Sequence, residues 1–418
     1  MKFLTAFDDR VFSDGSIDPL GLTPIWVGFS RRFISNLTTV TTSTHDVLTV
    51  LLAAAIAADH PHGQGLLMVE PFLRFEQLAA FTRTYYNIGQ TVRGVRLVSK
   101  RLQTKLRLDH KEQILSNQRA YGLWGYYTGP LTESDLLIYD RRLEGYVLSE
   151  TACDAVHSLL SSMSSTKREQ MRTVLLQESC GDDTVVRSMM NNMKTLFTRF
   201  SQHDDTRVLI REQFAKGAFS GADERVATKQ QLLYALMPRT NDVLQEAHIQ
   251  QLIDCASKST DGHDLAEDLR VLLALDHVLG NARRLFDFIR HKEFTRDSLR
   301  EEIESAKWNA VNSVDDATRA LTGIRLSKSI EQGRSLDEQW SIYLDSSSDI
   351  VAQVDALFAI HDYIVAARRT ARWVDRTNDG QYHPKRSNGA TRVLDVNRNG
   401  ALTFGYFLPS MQRLKCEL

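Results

Sequence analysis

SDLLIYDRRLEGYVLSETACDAVHSLL, residues Ser134–Leu160, is the stretch whose reading decides the fold. It opens on the end of a helix. Leu136–Tyr139 is a short apolar run and Tyr146–Leu148 is a second, and between them Asp140–Gly145 is charged and closes on glycine. That pattern predicts two strands joined by a tight turn. Ser149 then sits where a helix needs a side-chain acceptor for its first amides, so a capped helix is expected from Ser149 onward.

Upstream the pattern is less regular. Tyr121–Pro130 holds three glycines and a proline where a further helix would lie. An interior glycine costs about 1 kcal/mol of helix stability relative to alanine and proline about 3 kcal/mol, so a clean base-reading helix is not expected there.

The order of helix end, strand, charged turn, strand and capped helix resembles the second half of a winged helix-turn-helix. In that family a pattern of aliphatic pair, tyrosine, leucine and small capping residue marks the wing and the helix after it. Here Leu137, Ile138, Tyr146, Leu148, Ser149 and Ala152 match it, with Ala152 standing where glycine is usual. The resemblance runs from about Val95 to Leu160 and implies either DNA contact or a packing and dimerisation module. A second resemblance rests on DPLGLTPIW (18–26), LTTVTTST (37–44) and YGLWGYYTGPL (121–131). Together with the winged-helix pattern these are similar to large bacterial proteins that accompany restriction and phage-defence genes. That similarity implies a DNA-associated accessory subunit working with a separate ATPase or nuclease.

Arg93–Lys111 carries seven basic residues against one acid, in a chain whose net charge is −1. At about 100° per residue, Arg93, Arg96, Lys100, Arg107 and Lys111 fall on one side of a helix and Val95, Val98, Leu102 and Leu106 on the other. An amphipathic helix with a basic outer face is therefore expected, suited to holding phosphates. Arg141 and Arg142 at the wing tip would reach a groove or the backbone. The alternative is an ordinary solvated face. A second basic stretch, 365–400, has eight cations against three acids, and 254–304 has twelve acids against eight bases, so the two segments could pair.

From 166 to 375 the chain is read as almost wholly helical, in segments 166–179, 183–200, 224–237, 241–257, 263–292, 294–312, 316–332 and 347–375. Ahead of it an apolar helix is expected from about Thr44, with Ser43 and Asp46 as a capping box, and another from Glu70 to Asn87. The opening segment to Thr44 reads as irregular. Arg392–Val396, an Asn-Arg-Asn-Gly turn and Ala401–Leu408 read as a β-hairpin. The expected fold is thus mainly α, multi-helical, with an N-terminal winged-helix region and a C-terminal β-hairpin. Four regions follow: 1–92, 93–165, 166–345 and 346–418.

With 42% hydrophobic and 25% charged residues, this is the composition of a globular protein with a sizeable core. The N-terminus has Asp8 and Asp9 and no apolar core of a signal peptide. The apolar run Val47–Ala58 is shorter than the roughly 20 residues that cross a bilayer. Four scattered cysteines, Cys153, Cys180, Cys255 and Cys416, fit neither a disulfide framework nor a zinc ribbon. A reduced cytoplasmic setting without membrane contact is expected.

No nucleotide-binding, zinc-protease or nucleophile-elbow motif is present. Asp395–Gly400 matches half of a calcium loop but meets Tyr406, not glutamate, at the twelfth position. Asp109-His110-Lys111 has half of a nuclease motif, without a partner acid between Glu76 and Asp109. The first reading is a non-catalytic DNA-binding or adaptor subunit using Arg93, Arg96, Lys100, Arg107, Lys111, Arg141 and Arg142, with no cofactor and no metal. Its partners would be DNA and other protein subunits, in a homo- or hetero-oligomer. The second is a structural subunit that binds protein alone. The third is a metal-dependent hydrolase assembled from Asp276, His277, His361 and Asp362; His361, on an apolar stripe, reads as a core histidine.

Overall fold

The computed structural model describes residues 18–58, 66–89, 92–100, 105–109, 111–142, 144–176, 179–180, 182–202, 204–217, 224–240, 242–306, 340–346, 349–377, 379–385, 390 and 400–418. The described chain is mainly helical, as its apolar periodicity requires. It forms two compact units built from interleaved segments: Met1–Phe33 with Asp242–Leu408, and Ile34–Asn241 with Pro409–Leu418. The division into four regions by sequence did not include such interleaving.

In the first unit, α1 (Leu22–Ser30) forms inside the opening segment expected to be irregular. Pro24 lies in its first turn, where the missing amide has no helical partner to lose. Helices assigned from periodicity appear as α12 (Glu246–Ala256), α13 (His263–Ile289) and α14 (Arg296–Ser305). The segment expected to be helical to 375 forms α15 (Ile350–Arg368) and stops at Arg369, whose φ of 51° is left-handed. Beyond it β6 (Val374–Arg376) turns back as β7 (Gln381–Pro384), and β7 also pairs with β5 (Phe294–Thr295). All three strands are antiparallel, in the order β5-β7-β6.

The C-terminal hairpin expected at 392–408 is corrected in part. Its first strand lies outside the described residues. Its second is absent: Ala401 makes a single bridge to Gln245, and Leu408 already begins a helix. Asp276 explains the irregular path here. Its buried carboxylate accepts the amides of Thr403 and Phe404, both at 2.9 Å, which holds that segment away from strand pairing.

α15 is long and apolar enough, by length and composition, to cross a membrane. It nevertheless buries Gln353 and His361, and it packs against α13 and α14. His361 Nδ1–H donates to Pro19 O at 2.9 Å and Nε2 accepts from Trp373 N at 3.1 Å, so the ring is neutral and both nitrogens are used. Burial lowers its pKa.

The second unit is centred on α2 (Thr44–Ala58) and α3 (Val69–Tyr86), both packed against α6 (Leu123–Glu133). Ser43 caps α2 through the amide of Asp46, as read from sequence. The reciprocal arm goes elsewhere: Asp46 pairs with Arg83 and accepts from Tyr127 Oη at 3.1 Å. α7 (Glu150–Leu160), α8 (Ser165–Leu176), α9 (Asp183–Phe200), α10 (Asp204–Lys216) and α11 (Glu224–Leu236) complete the unit with the residues from Pro409 of α16 (Leu408–Glu417). α10 was not marked by the sequence pattern.

Candidate nucleic-acid interface

The quoted segment folds as expected. β2 (Leu137–Asp140) pairs antiparallel with β3 (Gly145–Leu148), Leu137 opposite Leu148 and Asp140 opposite Gly145. Asp140 Oδ1 accepts the amide of Arg142 at 2.8 Å, a side-chain turn that shapes the tip. Ser149 caps α7 through the amide of Ala152, and its hydroxyl donates to Asp135 O at 2.6 Å. Leu67, between α2 and α3, bridges Tyr146 through amide–carbonyl bonds of 2.7 and 3.1 Å, adding a one-residue third strand.

α6 forms despite its glycines and proline, a more regular helix than the composition of 121–130 suggests. Gly122, its N-cap, and Gly125 serve close approach, whereas a Cβ on Gly129 would meet nothing within 4 Å. A Cβ on Gly125 would lie 2.2 Å from the carbonyl of Ala120, at the end of α5 (Gln118–Tyr121). One on Gly122 would lie 2.6 Å from the Glu76 carboxylate. The hydroxyls of Thr128 and Thr132 donate to carbonyls four residues back. The half-exposed and exposed positions of α6 are Trp124, Gly125, Tyr126, Gly129, Pro130, Thr132 and Glu133. None is a cation, and none is the Asn or Gln that reads adenine edges. An aromatic chain backs the hairpin instead: Phe72–Trp124, Trp124–Tyr146 and Tyr146–Tyr139, at centroid separations of 5.6, 5.2 and 4.9 Å.

The five cations expected on one helix, Arg93, Arg96, Lys100, Arg107 and Lys111, do not share one. α4 (Val95–Val98) is a single turn, and β1 (Leu106–Arg107) is extended and pairs with β4 (Ser179–Cys180). Gln77 explains the extended backbone. Its amide nitrogen donates to Arg107 O at 2.7 Å and its oxygen accepts from Arg107 N at 3.0 Å, holding the residue as a strand neighbour would. Residues 101–104 lie outside the described residues. Arg93 is half-buried, donates to Val40 O at 3.3 Å and stacks its guanidinium 4.5 Å over Tyr126. The Arg107 Nε is buried. Lys111 is exposed but held by a contact of its own. Arg96, Lys100, Arg141 and Arg142 are exposed, with no ion pair among the described residues.

No protein-family model, curated protein or solved structure matches this chain.

The second basic stretch is different. Arg368 pairs with Asp18, Arg372 with Asp362, Arg376 with Asp355, and Lys385 with Asp375. Between the segments read as complementary, His383 contacts Glu293 at 3.1 Å. The four residues considered for a metal centre are not assembled. Asp276 is used by two amides, His277 contacts Glu246, His361 has both nitrogens engaged, and Asp362 holds Arg372. Among the described residues no cluster of three or more His, Cys, Asp or Glu could hold a metal ion. The half calcium loop at Asp395 lies outside the described residues.

Sequence reasoning missed a buried polar group where α3 meets α5 and the start of α6. Glu76 accepts from Leu123 N at 2.7 Å and from Gln118 Nε2 at 2.9 Å, and burial pushes its pKa up to about 7. His45 on α2 is driven the other way, to about 4, by burial and by the charges of Arg83 and Arg207. The signal was available in part, since Glu76 lies inside the apolar run of α3.

These shifts set a stability optimum with two arms. His45 binds its proton more weakly when folded than the ordinary 6.5, so its contribution is present above pH 6.5 and is lost as pH falls toward about 4. Glu76 binds its proton more tightly than the ordinary 4.5, so its contribution is present below pH 4.5 and is lost as pH rises through about 7. Denaturant midpoints measured across this range should show the alkaline arm disappear in Glu76→Gln. An unchanged profile would mean that Glu76 stays ionised in the folded protein.

Proposed function

We propose that the chain is a non-catalytic, cytoplasmic adaptor subunit that holds duplex DNA by its phosphates without reading its bases. The observation that carries this is the contrast between two sets of cations. Arg368, Arg372, Arg376 and Lys385 are spent on internal ion pairs, while Arg96, Lys100, Arg141 and Arg142 are exposed and have none among the described residues. Cations of the second kind can exchange counterions for phosphates.

The order α2, Leu67, α3, α6 and the β2–β3 hairpin supports a winged-helix reading, with Arg141 and Arg142 at the wing tip. The half-exposed and exposed positions of the helix in the recognition position carry no Arg, Lys, Asn or Gln, the commonest base readers, so phosphate contacts position the duplex and sequence discrimination is expected to be small. Catalysis would belong to a separate ATPase or nuclease, as in the restriction and anti-phage systems suggested by the sequence resemblance.

Reversing Arg96, Lys100, Arg141 and Arg142 to glutamate tests the reading. Duplex affinity should fall by roughly a hundredfold or more, and scrambled duplexes should bind wild type alike. Retained affinity in a folded variant would remove these residues from the interface. A protein partner on the same hairpin is the second reading. It is favoured by Ile138 and Tyr139, 48% and 41% exposed, and by Met68 at 40%, apolar side chains that phosphates do not use.

A further inference from the structure

Where α2 and α3 meet the start of α6, Asp46, Glu76, Arg83, Arg93 and Leu123 line a cavity with room for about one water-sized sphere. Arg83 is 2% exposed. Its Nη1 goes to Asp46 and its Nε to Ile88 O at 3.4 Å, while its Nη2 has no hydrogen-bond partner among the described residues. Arg93 spends Nη2 on Val40 O and its face on Tyr126, and its buried Nε is likewise without a partner among the described residues. Two arginines, each with a buried N–H that has no partner among the described residues, thus line one small space, and a buried cationic N–H left unmade is costly.

We infer that this cavity binds one halide-sized anion, taken up together with a proton on the Glu76 carboxyl. The two unpartnered guanidinium N–H groups beside one small space point to an anion, and the charge balance agrees with them. Asp46 neutralises Arg83, and an ionised Glu76 would neutralise Arg93. Once Glu76 is protonated, the buried Arg83 and half-buried Arg93 together keep one uncompensated positive charge. A neutral water satisfies the donors but leaves that charge, whereas a chloride ion satisfies both.

The groups facing Glu76 agree with this. From α2 comes Asp46, which disfavours a second negative charge. From α5 comes Gln118 Nε2, from α6 the amide of Leu123, and from the turn before α4 comes Arg93. Arg83 borders the same space from α3. Tyr127 keeps its proton, because burial beside Asp46 raises its pKa well above the ordinary value, so it donates to Asp46 and adds no charge. The carboxyl also anchors the first amide of α6, so occupancy of the cavity bears on the helix that precedes the hairpin. This inference does not depend on DNA binding.

The test is thermal unfolding of the full chain as chloride replaces gluconate at constant ionic strength, gluconate being too large for the space. Chloride should raise the midpoint saturably, and its apparent affinity should be about tenfold weaker near pH 8 than near pH 6, since uptake is linked to one proton with a midpoint of about 7. Glu76→Gln should retain chloride stabilisation with no pH dependence, and Arg93→Gln should lose it. If Arg93→Gln does not fold, the Glu76→Gln profile decides. No saturable chloride effect would mean that the cavity holds water only. A chloride effect with the same pH dependence in Glu76→Gln would place the ion elsewhere. Either result overturns the proposal.

Discussion

Arg83→Met is expected to destabilise the second unit by about 3–5 kcal/mol, the largest effect of any single replacement considered. Arg83 and Asp46 are 2% and 5% exposed and pair directly. Removing the guanidinium leaves a buried carboxylate with Tyr127 Oη as its remaining side-chain donor. Desolvating an unpaired carboxylate costs more than the pair contributes, so the variant should fall far below wild type in denaturant midpoint. Adding Asp46→Asn should recover a substantial part of the loss, because it removes the orphaned charge, and the double-mutant cycle measures that coupling. A loss under about 1 kcal/mol would mean that water reaches Asp46.

Lys415→Met is expected to cost about 2–4 kcal/mol. The Lys415 Nζ donates to the carbonyls of Tyr234, Ala235 and Met237 at 2.6, 2.8 and 2.7 Å, where α11 ends at Leu236. One ammonium therefore satisfies three carbonyls at the negative end of a helix. Its pKa is lowered by burial, yet the convergent geometry suits the charged form. Hydrogen exchange resolves the effect: amides in the last turn of α11 should lose protection selectively. Uniform loss across the unit would instead assign Lys415 to global packing.

What could be read from the sequence was local. The hairpin at 137–148 and its capped helix were legible because alternation, a charged turn and a serine cap all act within a few residues. The helices of the 183–305 region showed the 3.6-residue period of a buried face, although α10 escaped notice. The basic helix was misread because its cations and apolar residues satisfy a helical period equally well, and what overrules it is distant. Gln77 holds the backbone of Arg107, and β1 pairs with β4 some seventy residues on. α6 was doubted on glycine and proline content, although Gly122 and Gly125 admit close neighbours rather than breaking the helix.

The surface cations were legible in part for a related reason. Composition marked seven cations, but only packing separates those that are exposed from Arg93 and Arg107, whose guanidinium groups reach inward. The polar group around Glu76 left almost no trace, since a charged residue within an apolar run does not reveal which arginine will face it. Its consequences for pH and for α6 emerge from contacts between α2, α3, α5 and α6.

The most direct test of the adaptor reading is the affinity of the full chain for labelled duplex DNA as a function of salt. Each phosphate neutralised contributes about −0.9 to the slope of log K against log salt, so four exposed cations predict a slope of about −3.6, unchanged by the sequence of the duplex. Failure to bind duplex at low salt, or binding whose affinity is indifferent to salt, would contradict the account and leave the hairpin as a protein-docking surface.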